Sequence, residues 1–411
     1  MSGVSDRKNT SSRLGRISSV KQFDALLFAA VLALTAVGYF FLYQVRQTYS
    51  AGDKFTDASM NTQLISIMIG IIAALFLSSI NYRYYQLPSY VAYIGSMIIL
   101  LITTLFGAEY WDSNRWIIIM GVTFQPSELM KITFIVVISS FFDRIAQKRA
   151  TKLDYLKLIF YTALPVALVI QEDTGTAIAF AIAFTVMLFI SGLKYRYIFG
   201  MLGVGLASLP LLWTYVLRDW QRMRVVVFLN PELDTSNHGY QSNLSRSAIG
   251  AGELFGRQLE DPSLARYSIV PERHGDFIFS AIAENIGFIG CVLLISLYVF
   301  VLLRCFYIAS KAIDKYGEFM VAGLTAMMMY HFIENIGMCI GLLPITGIPL
   351  PFISHGGTAM ITNYLAIGII LSVSVTRDIP GVTSIANETP GVAAIDSTAA
   401  PTGASSINTR P

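Results

Sequence analysis

Pro271-Glu272-Arg273-His274-Gly275-Asp276-Phe277-Ile278-Phe279 closes a long hydrophilic interval, 218–275, at the point where lipid-soluble sequence resumes. A carboxylate at a water–hydrocarbon boundary sits in low local dielectric, which raises its basicity and makes Asp276 a candidate general base. The sequence on either side explains the boundary. Of the 411 residues, 54% are hydrophobic and 13% charged, against about 25% charged in soluble domains. Apolar segments long enough to span a bilayer as helices lie near 23–45, 62–80, 87–107, 126–145, 155–171, 174–193, 197–217, 276–303, 317–343 and 350–376. The predicted fold is an all-α polytopic membrane protein of about ten transmembrane helices, with a large extracytoplasmic loop between the seventh and eighth.

Lys and Arg collect on the cytoplasmic side of short connections. Here they occupy the N-terminal stretch (Arg7, Lys8, Arg13, Arg16, Lys21) and then every second connection, from Arg83 through Arg144 to Lys152, Lys194 and Arg196, and Arg304 to Lys315. Both termini are therefore expected in the cytoplasm. The long interval balances its arginines with acids, and long loops cross regardless of charge, so it is expected outside. Residues 1–22 are polar and Ser-rich without a cleavage pattern, and 379–411 run through Gly, Ser, Thr, Ala and Pro. Neither composition buries enough apolar surface to fold, so both read as cytoplasmic tails around a membrane domain over 23–378. Cys291, Cys305 and Cys339 fall in or beside predicted helices, which argues for packed thiols over a disulfide framework or a CxxC metal site.

Ionisable groups within hydrocarbon are costly and normally face a cavity or one another. Gln125-Pro126-Ser127-Glu128 opens the fourth segment, and Lys131 follows Glu128 by three residues on the same helical face. An ion pair that fixes register and a role in holding an anionic substrate both fit that spacing. Gln171-Glu172-Asp173-Thr174-Gly175-Thr176 separates two segments tightly and reads as an external hairpin in which Asp173 or Thr174 caps the next helix. Glu284-Asn285 lies inside the eighth segment, and His331, Glu334 and Asn335 share helical spacing in the ninth. His331 with Glu334 lacks further ligands for a metal, so hydrogen bonding between helices is the simpler reading. Between Gly341 and Gly357, Pro344, Pro349 and Pro351 precede Ser354-His355-Gly356-Gly357. Irregular backbone at membrane depth is tolerated only against protein or a water-filled cavity, so this segment is expected to be broken or re-entrant and to wall a groove.

Read together, these stretches resemble the SEDS family of shape, elongation, division and sporulation proteins, polytopic enzymes that polymerise peptidoglycan from lipid II. The matching runs are Asn114-Arg115-Trp116 through Gln125-Pro126-Ser127-Glu128 and Lys131; Gly175-Thr176-Ala177; Asp219-Trp220-Gln221-Arg222-Met223-Arg224; Phe228-Leu229-Asn230-Pro231; Pro271 to Phe279; and Asn335-Ile336-Gly337 to Gly357. Phe228 to Glu232 and Pro271 to His274 resemble the elongation branch, RodA, more than the division branch, FtsW. The chain departs from the family pattern at Gly275-Asp276 for Thr-Asp, Glu284-Asn285 for Glu-Glu, Ser354-His355-Gly356-Gly357 for Ser-Tyr-Gly-Gly, Gln171-Glu172-Asp173-Thr174 for Gln-Pro-Asp-Leu, and Gly256-Arg257-Gln258 for Gly-Lys-Gly.

The resemblance implies glycosyl transfer between two lipid-linked sugars, with lipid II as substrate and a polyprenyl pyrophosphate as leaving group. Such a reaction needs a base at the attacking hydroxyl, cations facing the departing diphosphate and an apolar groove for the tails. Asp276 takes the first role. Arg115, Arg222 and Arg224, with Lys131, Glu128, Gln125 and Ser127, are candidates for holding substrate. Asp173, Glu284, Asn335, Pro344, Pro349, Ser354, Gly356 and Gly357 would shape the cavity. A divalent cation such as magnesium would share the diphosphate charge, and the sequence shows no dedicated ligand cluster for one, so the cofactor stays open. A class B penicillin-binding protein, a transpeptidase, is the implied partner, and nucleic acid is not. The implied setting is the bacterial cytoplasmic membrane, with the active site on the external face. An FtsW-type division polymerase, a flippase for lipid-linked precursors and a non-catalytic transpeptidase scaffold stay open as alternatives.

Overall fold

The computed structural model describes residues 23–49, 55–106, 108–110, 113–119, 122–171, 173–234, 238–257 and 266–376. The expected tails, 1–22 and 379–411, lie outside them. Each predicted apolar segment carries a helix: α1 Ala25–Gln47, α2 Asp57–Ser78, α3 Gln86–Phe106, α4 Pro126–Ala146, α5 Lys152–Val169, α6 Thr174–Ile190 and α7 Tyr195–Leu211. The hydrophilic interval holds two shorter helices, α8 Asp219–Leu229 and α9 His238–Ala251, and α10 Ile278–Ser310, α11 Lys315–Cys339 and α12 Gly357–Thr376 follow. Among the described residues, six helices are long and apolar enough to cross a membrane. The others in the bundle either carry internal charge, as α4 and α11 do, or are shorter.

Two local features differ from the sequence reading. The connection between α3 and α4 forms a small antiparallel meander, β1 Ala108–Tyr110, β2 Ser113–Ile119 and β3 Val122–Phe124, with Ile117 opposite Phe124. The β-branched run Ile117-Ile118-Ile119 suits a pleated surface. Secondly, α10 is broken at Gly287, where φ is +64°. The loop after α9 inserts there: the Arg257 amide donates to the Glu284 carbonyl at 3.0 Å, and the Phe288 and Ile289 amides donate to the Glu253 and Leu254 carbonyls at 2.8 and 3.1 Å. A Cβ on Gly287 would fall 2.2 Å from the Gly256 nitrogen, so a residue other than glycine would force the loop out.

Caps and close approaches assemble the bundle. Asp24 caps α1 through the Leu27 amide and pairs with Arg304 at 2.8 Å; Asp314 caps α11 and pairs with Arg83 at 2.9 Å. Small residues let α2 and α12 meet closely, since a Cβ on Gly368 would lie 2.7 Å from the Ala74 Cα. Likewise, a Cβ on Gly38 of α1 would lie 2.5 Å from the Ile353 Cα. Helix α11 runs through the middle, packed against α10, α6 and α4. Helix α7 stands apart: among its described residues only Ile198 is buried, an exposure that hydrocarbon surroundings accept at no cost.

Candidate active site

The turn that delivers Asp276 is built from its backbone upward. Glu272 adopts φ +52°, and its carbonyl accepts from the amides of Gly275 at 2.9 Å and Phe277 at 3.3 Å. Phe277, Ile278 and Phe279 are buried and fix the start of α10. Three successive carbonyls of the turn are then held from other elements. That of His274 accepts from the His355 amide at 2.9 Å, that of Gly275 from Ser354 Oγ at 2.8 Å, and that of Asp276 from Asn335 Nδ2 at 2.8 Å. The second N–H of Asn335 donates to the Ile348 carbonyl, also at 2.8 Å. The carboxylate faces the broken segment, where a Cβ on Gly347 would lie 3.2 Å from Asp276 Oδ2.

Gly275, which stands where the resemblance leads one to expect Thr, is not demanded by geometry. A Cβ there would meet nothing closer than the Glu272 carbonyl at 3.7 Å. The missing hydroxyl is offset by main-chain bonds from Ser354, His355 and Asn335, which orient the turn without it.

The segment between α11 and α12 is irregular, as its prolines require, with Gly341 and Gly347 at φ +78°. Its polar backbone is satisfied by side chains from across the bundle. The Thr346 carbonyl accepts from Arg224 Nη1 at 3.1 Å, the Ser354 carbonyl from Gln63 Nε2 at 3.3 Å, the Pro351 carbonyl from the Tyr298 hydroxyl, and the Gly356 amide donates to Gln63 Oε1 at 3.0 Å. A broken segment at this depth needs such partners. Pro349 sits between the anchored Ile348 and Leu350, whose amide donates to Ser354 Oγ at 2.8 Å. Gly357 starts α12 against Ser66, whose Oγ would be 2.9 Å from an added Cβ.

Lys131 and Glu128 form an ion pair of 2.7 Å with both side chains almost fully buried, and Lys131 Nζ lies 3.4 Å from His331 Nε2. The lysine charge is thus matched inside the bundle, with the His331 ring beside it. Glu334 accepts from Thr346 Oγ1 at 3.0 Å. Gln125 Nε2 donates to Asp173 Oδ2 at 3.1 Å, and Asp173 caps α6 through the Thr176 amide at 2.9 Å. The buried Ser127 hydroxyl has no hydrogen-bond partner among the described residues. Glu284, fully buried, faces Arg257 Nη1 at 3.4 Å. Among the described residues, no three or more His, Cys, Asp or Glu gather as a metal site.

The arginines separate. The Arg115 side chain lies outside the described residues. Arg222 is directed to Asp219 Oδ1 at 3.4 Å and the Thr214 carbonyl at 3.0 Å. Arg224 stacks over Trp220 at 4.8 Å and reaches the broken segment. There it lines a small open cleft together with Arg246, Ser242, Gly341 and Pro344. Arg246 is one residue that the sequence reading passed over, because a charge inside a hydrophilic interval carries no sign of what it faces. The cleft is chain-adjacent to the carboxylate: Ile345 lines it, and Gly347 abuts Asp276.

His274 was also passed over. Burial, with His355 and Arg273 acting in the same sense, pushes its imidazole down to about 3. The ring is therefore neutral at ordinary pH.

A model of the FtsW/RodA/SpoVE family, described as cell cycle proteins, matches residues 24–379. The chain is 33% identical over 318 residues to the peptidoglycan glycosyltransferase MrdB of Escherichia coli K12, covering 77% of this chain and 86% of that one. It is 30% identical over 367 residues to a probable peptidoglycan glycosyltransferase FtsW of Trichlorobacter lovleyi, covering 86% and 93%. Its fold is similar to a chain from a peptidoglycan synthase complex described as coordinating polymerization and crosslinking, with a TM-score of 0.72, 25% identity, and coverage of 87% and 99%.

Proposed function

This chain belongs to the FtsW/RodA/SpoVE family, and on that premise we propose that it is a peptidoglycan glycosyltransferase of the inner membrane that polymerises lipid II into glycan strands during cell-wall elongation. The observation that carries the chemistry is the Asp276 turn, whose carbonyls are gripped by Ser354, His355 and Asn335 while its carboxylate faces the wall of the broken segment. A base held by its backbone loses little entropy on reaching the attacking hydroxyl.

In this reading Asp276 accepts the proton of the sugar 4-hydroxyl as that oxygen bonds to the anomeric carbon of the second lipid-linked chain. The bond from that carbon to the diphosphate oxygen breaks, and the polyprenyl diphosphate leaves with the electron pair. A single displacement with one base and no covalent intermediate inverts the anomeric centre. Arg224 and Arg246 face the cleft beside Asp276 and would receive the departing diphosphate, Arg224 offering a planar fork of donors. Lys131 and Glu128, already paired, would hold α4 and α11 in register, with Gln125 and Asp173 joining α4 to α6. The termini would lie in the cytoplasm and the Asp276 turn outside.

The likeness to a chain from a synthase complex supports a transpeptidase partner of the class B penicillin-binding type. The test is incubation of the purified protein with lipid II, alone and with that partner. Glycan strands support the proposal. Translocation of lipid II across vesicles without polymer would favour a flippase, and no product even with the partner would favour a scaffold.

A further inference from the structure

We propose that Thr48 and Tyr49 at the end of α1, with Phe55 ahead of α2, form a positioning element for Asp276, acting through Tyr49 on the side chains of Arg273 and His274. This inference rests on Asp276 being the base. The turn is gripped from two directions. Its carbonyls are held by the α11–α12 side of the molecule, as described above. Its side chains are held by Thr48 and Tyr49, 225 residues away in sequence.

The Arg273 guanidinium lies 3.6 Å above the Tyr49 ring. Its Nε donates to Thr48 Oγ1 at 2.9 Å and its Nη2 to the Thr48 carbonyl at 3.2 Å. Thr48 is the C-cap residue of α1, so a cation meets a helix C-terminus, where carbonyls lack intrahelical partners and the dipole favours positive charge. The Tyr49 hydroxyl and His274 Nδ1 are 2.8 Å apart. With the phenol donating, the ring proton sits on Nε2, which faces Glu272 Oε2 at 3.7 Å. The other face of the imidazole stacks on Phe55, with centroids 4.5 Å apart and planes at 17°, and Phe55 is buried.

Packing alone would need no such set of donors. Arg273 is fixed at three nitrogen atoms and His274 at its ring, its ring face and its carbonyl. His274 is therefore a strut in the turn, spent on Tyr49, and not a second base beside Asp276. Moving Tyr49 moves both side chains immediately before Gly275, a residue with no side chain of its own to resist.

Tyr49→Phe keeps the ring beneath Arg273 and removes only the hydroxyl. The expected result is a kcat for lipid II polymerisation lowered about three- to tenfold, the range one hydrogen bond governs, with KM unchanged and a displaced acid limb in the pH profile of kcat. His274→Gln keeps an acceptor for the phenol, and is expected to retain more kcat than His274→Phe. Tyr49→Phe combined with His274→Phe should be no worse than His274→Phe alone. Rates are taken per folded enzyme, so a loss that reflects only misfolding disappears on normalisation. Wild-type kcat and an unmoved pH profile in Tyr49→Phe, or additive losses in the double variant, would overturn the proposal while leaving the base assignment intact. A still-active Asp276→Asn would instead remove the reading on which it rests.

Discussion

Asn335→Leu separates the backbone grip on Asp276 from the carboxylate itself. Asn335 is fully buried, and its amide gives both N–H groups away, one to the Asp276 carbonyl and one to the Ile348 carbonyl, each at 2.8 Å. Leucine fills a similar volume and offers neither donor. A buried acceptor stripped of its partner costs about 1–3 kcal/mol. The Cys339 thiol, 3.6 Å from the Asp276 carbonyl, covers part of one loss, and the change also removes the buried Asn335 Oδ1, which has no hydrogen-bond partner among the described residues, so the expected destabilisation is about 1–3 kcal/mol. The same change frees the turn from α11. A misplacement of about 1 Å at a reacting group costs on the order of 100-fold in rate, and two other carbonyl clamps remain, so kcat should fall by roughly ten- to a hundredfold with KM little altered. Thermal unfolding in detergent reads the first effect, and lipid II polymerisation per folded enzyme reads the second. A variant that melts and polymerises like wild type would refute the idea that Asn335 joins α11 to the Asp276 turn.

Lys131→Met should destabilise the fold by about 3–5 kcal/mol because it leaves Glu128 charged and buried without its partner. Adding Glu128→Gln should restore much of that loss in the same thermal assay. Arg224→Gln should weaken binding of a polyprenyl diphosphate in nanodiscs by about 10- to 100-fold, the range of a lost charge-assisted hydrogen bond; unchanged affinity would remove the cleft from the account. His274 supplies a pH signature. Its folded pKa is depressed from 6.5 to about 3, so between these values the unfolded chain binds the extra proton. Stability is therefore fully present above about 6.5 and falls as pH drops towards 3, by about 2 kcal/mol between pH 7 and 5. His274→Gln should flatten that part of a melting-temperature-against-pH curve.

The bundle was legible because spanning helices need long apolar runs, and the segments carrying α1 to α7 and α10 to α12 are written in composition. Asp276 was legible for a related reason, as a charge where hydrocarbon begins. Glu128 and Lys131 could be paired from their spacing alone, because contact three residues apart is local. What was hidden is non-local or belongs to the backbone. Nothing in Asn285-Ile286-Gly287-Phe288 marks a break in an apolar helix until the loop at Gly252 to Arg257 is seen entering it. Arg246 and Arg222 look alike in sequence, and only the fold turns one towards the cleft and the other towards Asp219. No Thr hydroxyl stands before Asp276, and the turn is supported instead through its carbonyl oxygens, which every residue type carries and no sequence pattern displays.

In the proposed reaction Asp276 removes the proton from the attacking hydroxyl, the role on which every other assignment depends. Its most direct test is polymerisation of lipid II by purified Asp276→Asn beside wild type, with equal folded amounts confirmed by thermal unfolding and polyprenyl diphosphate binding measured on both. The asparagine is nearly the same size and keeps the main-chain bonds to Asn335, Ser354 and His355, so the account predicts unchanged binding and folding with glycan synthesis abolished. An asparagine variant that still builds glycan strands at close to the wild-type rate would contradict it.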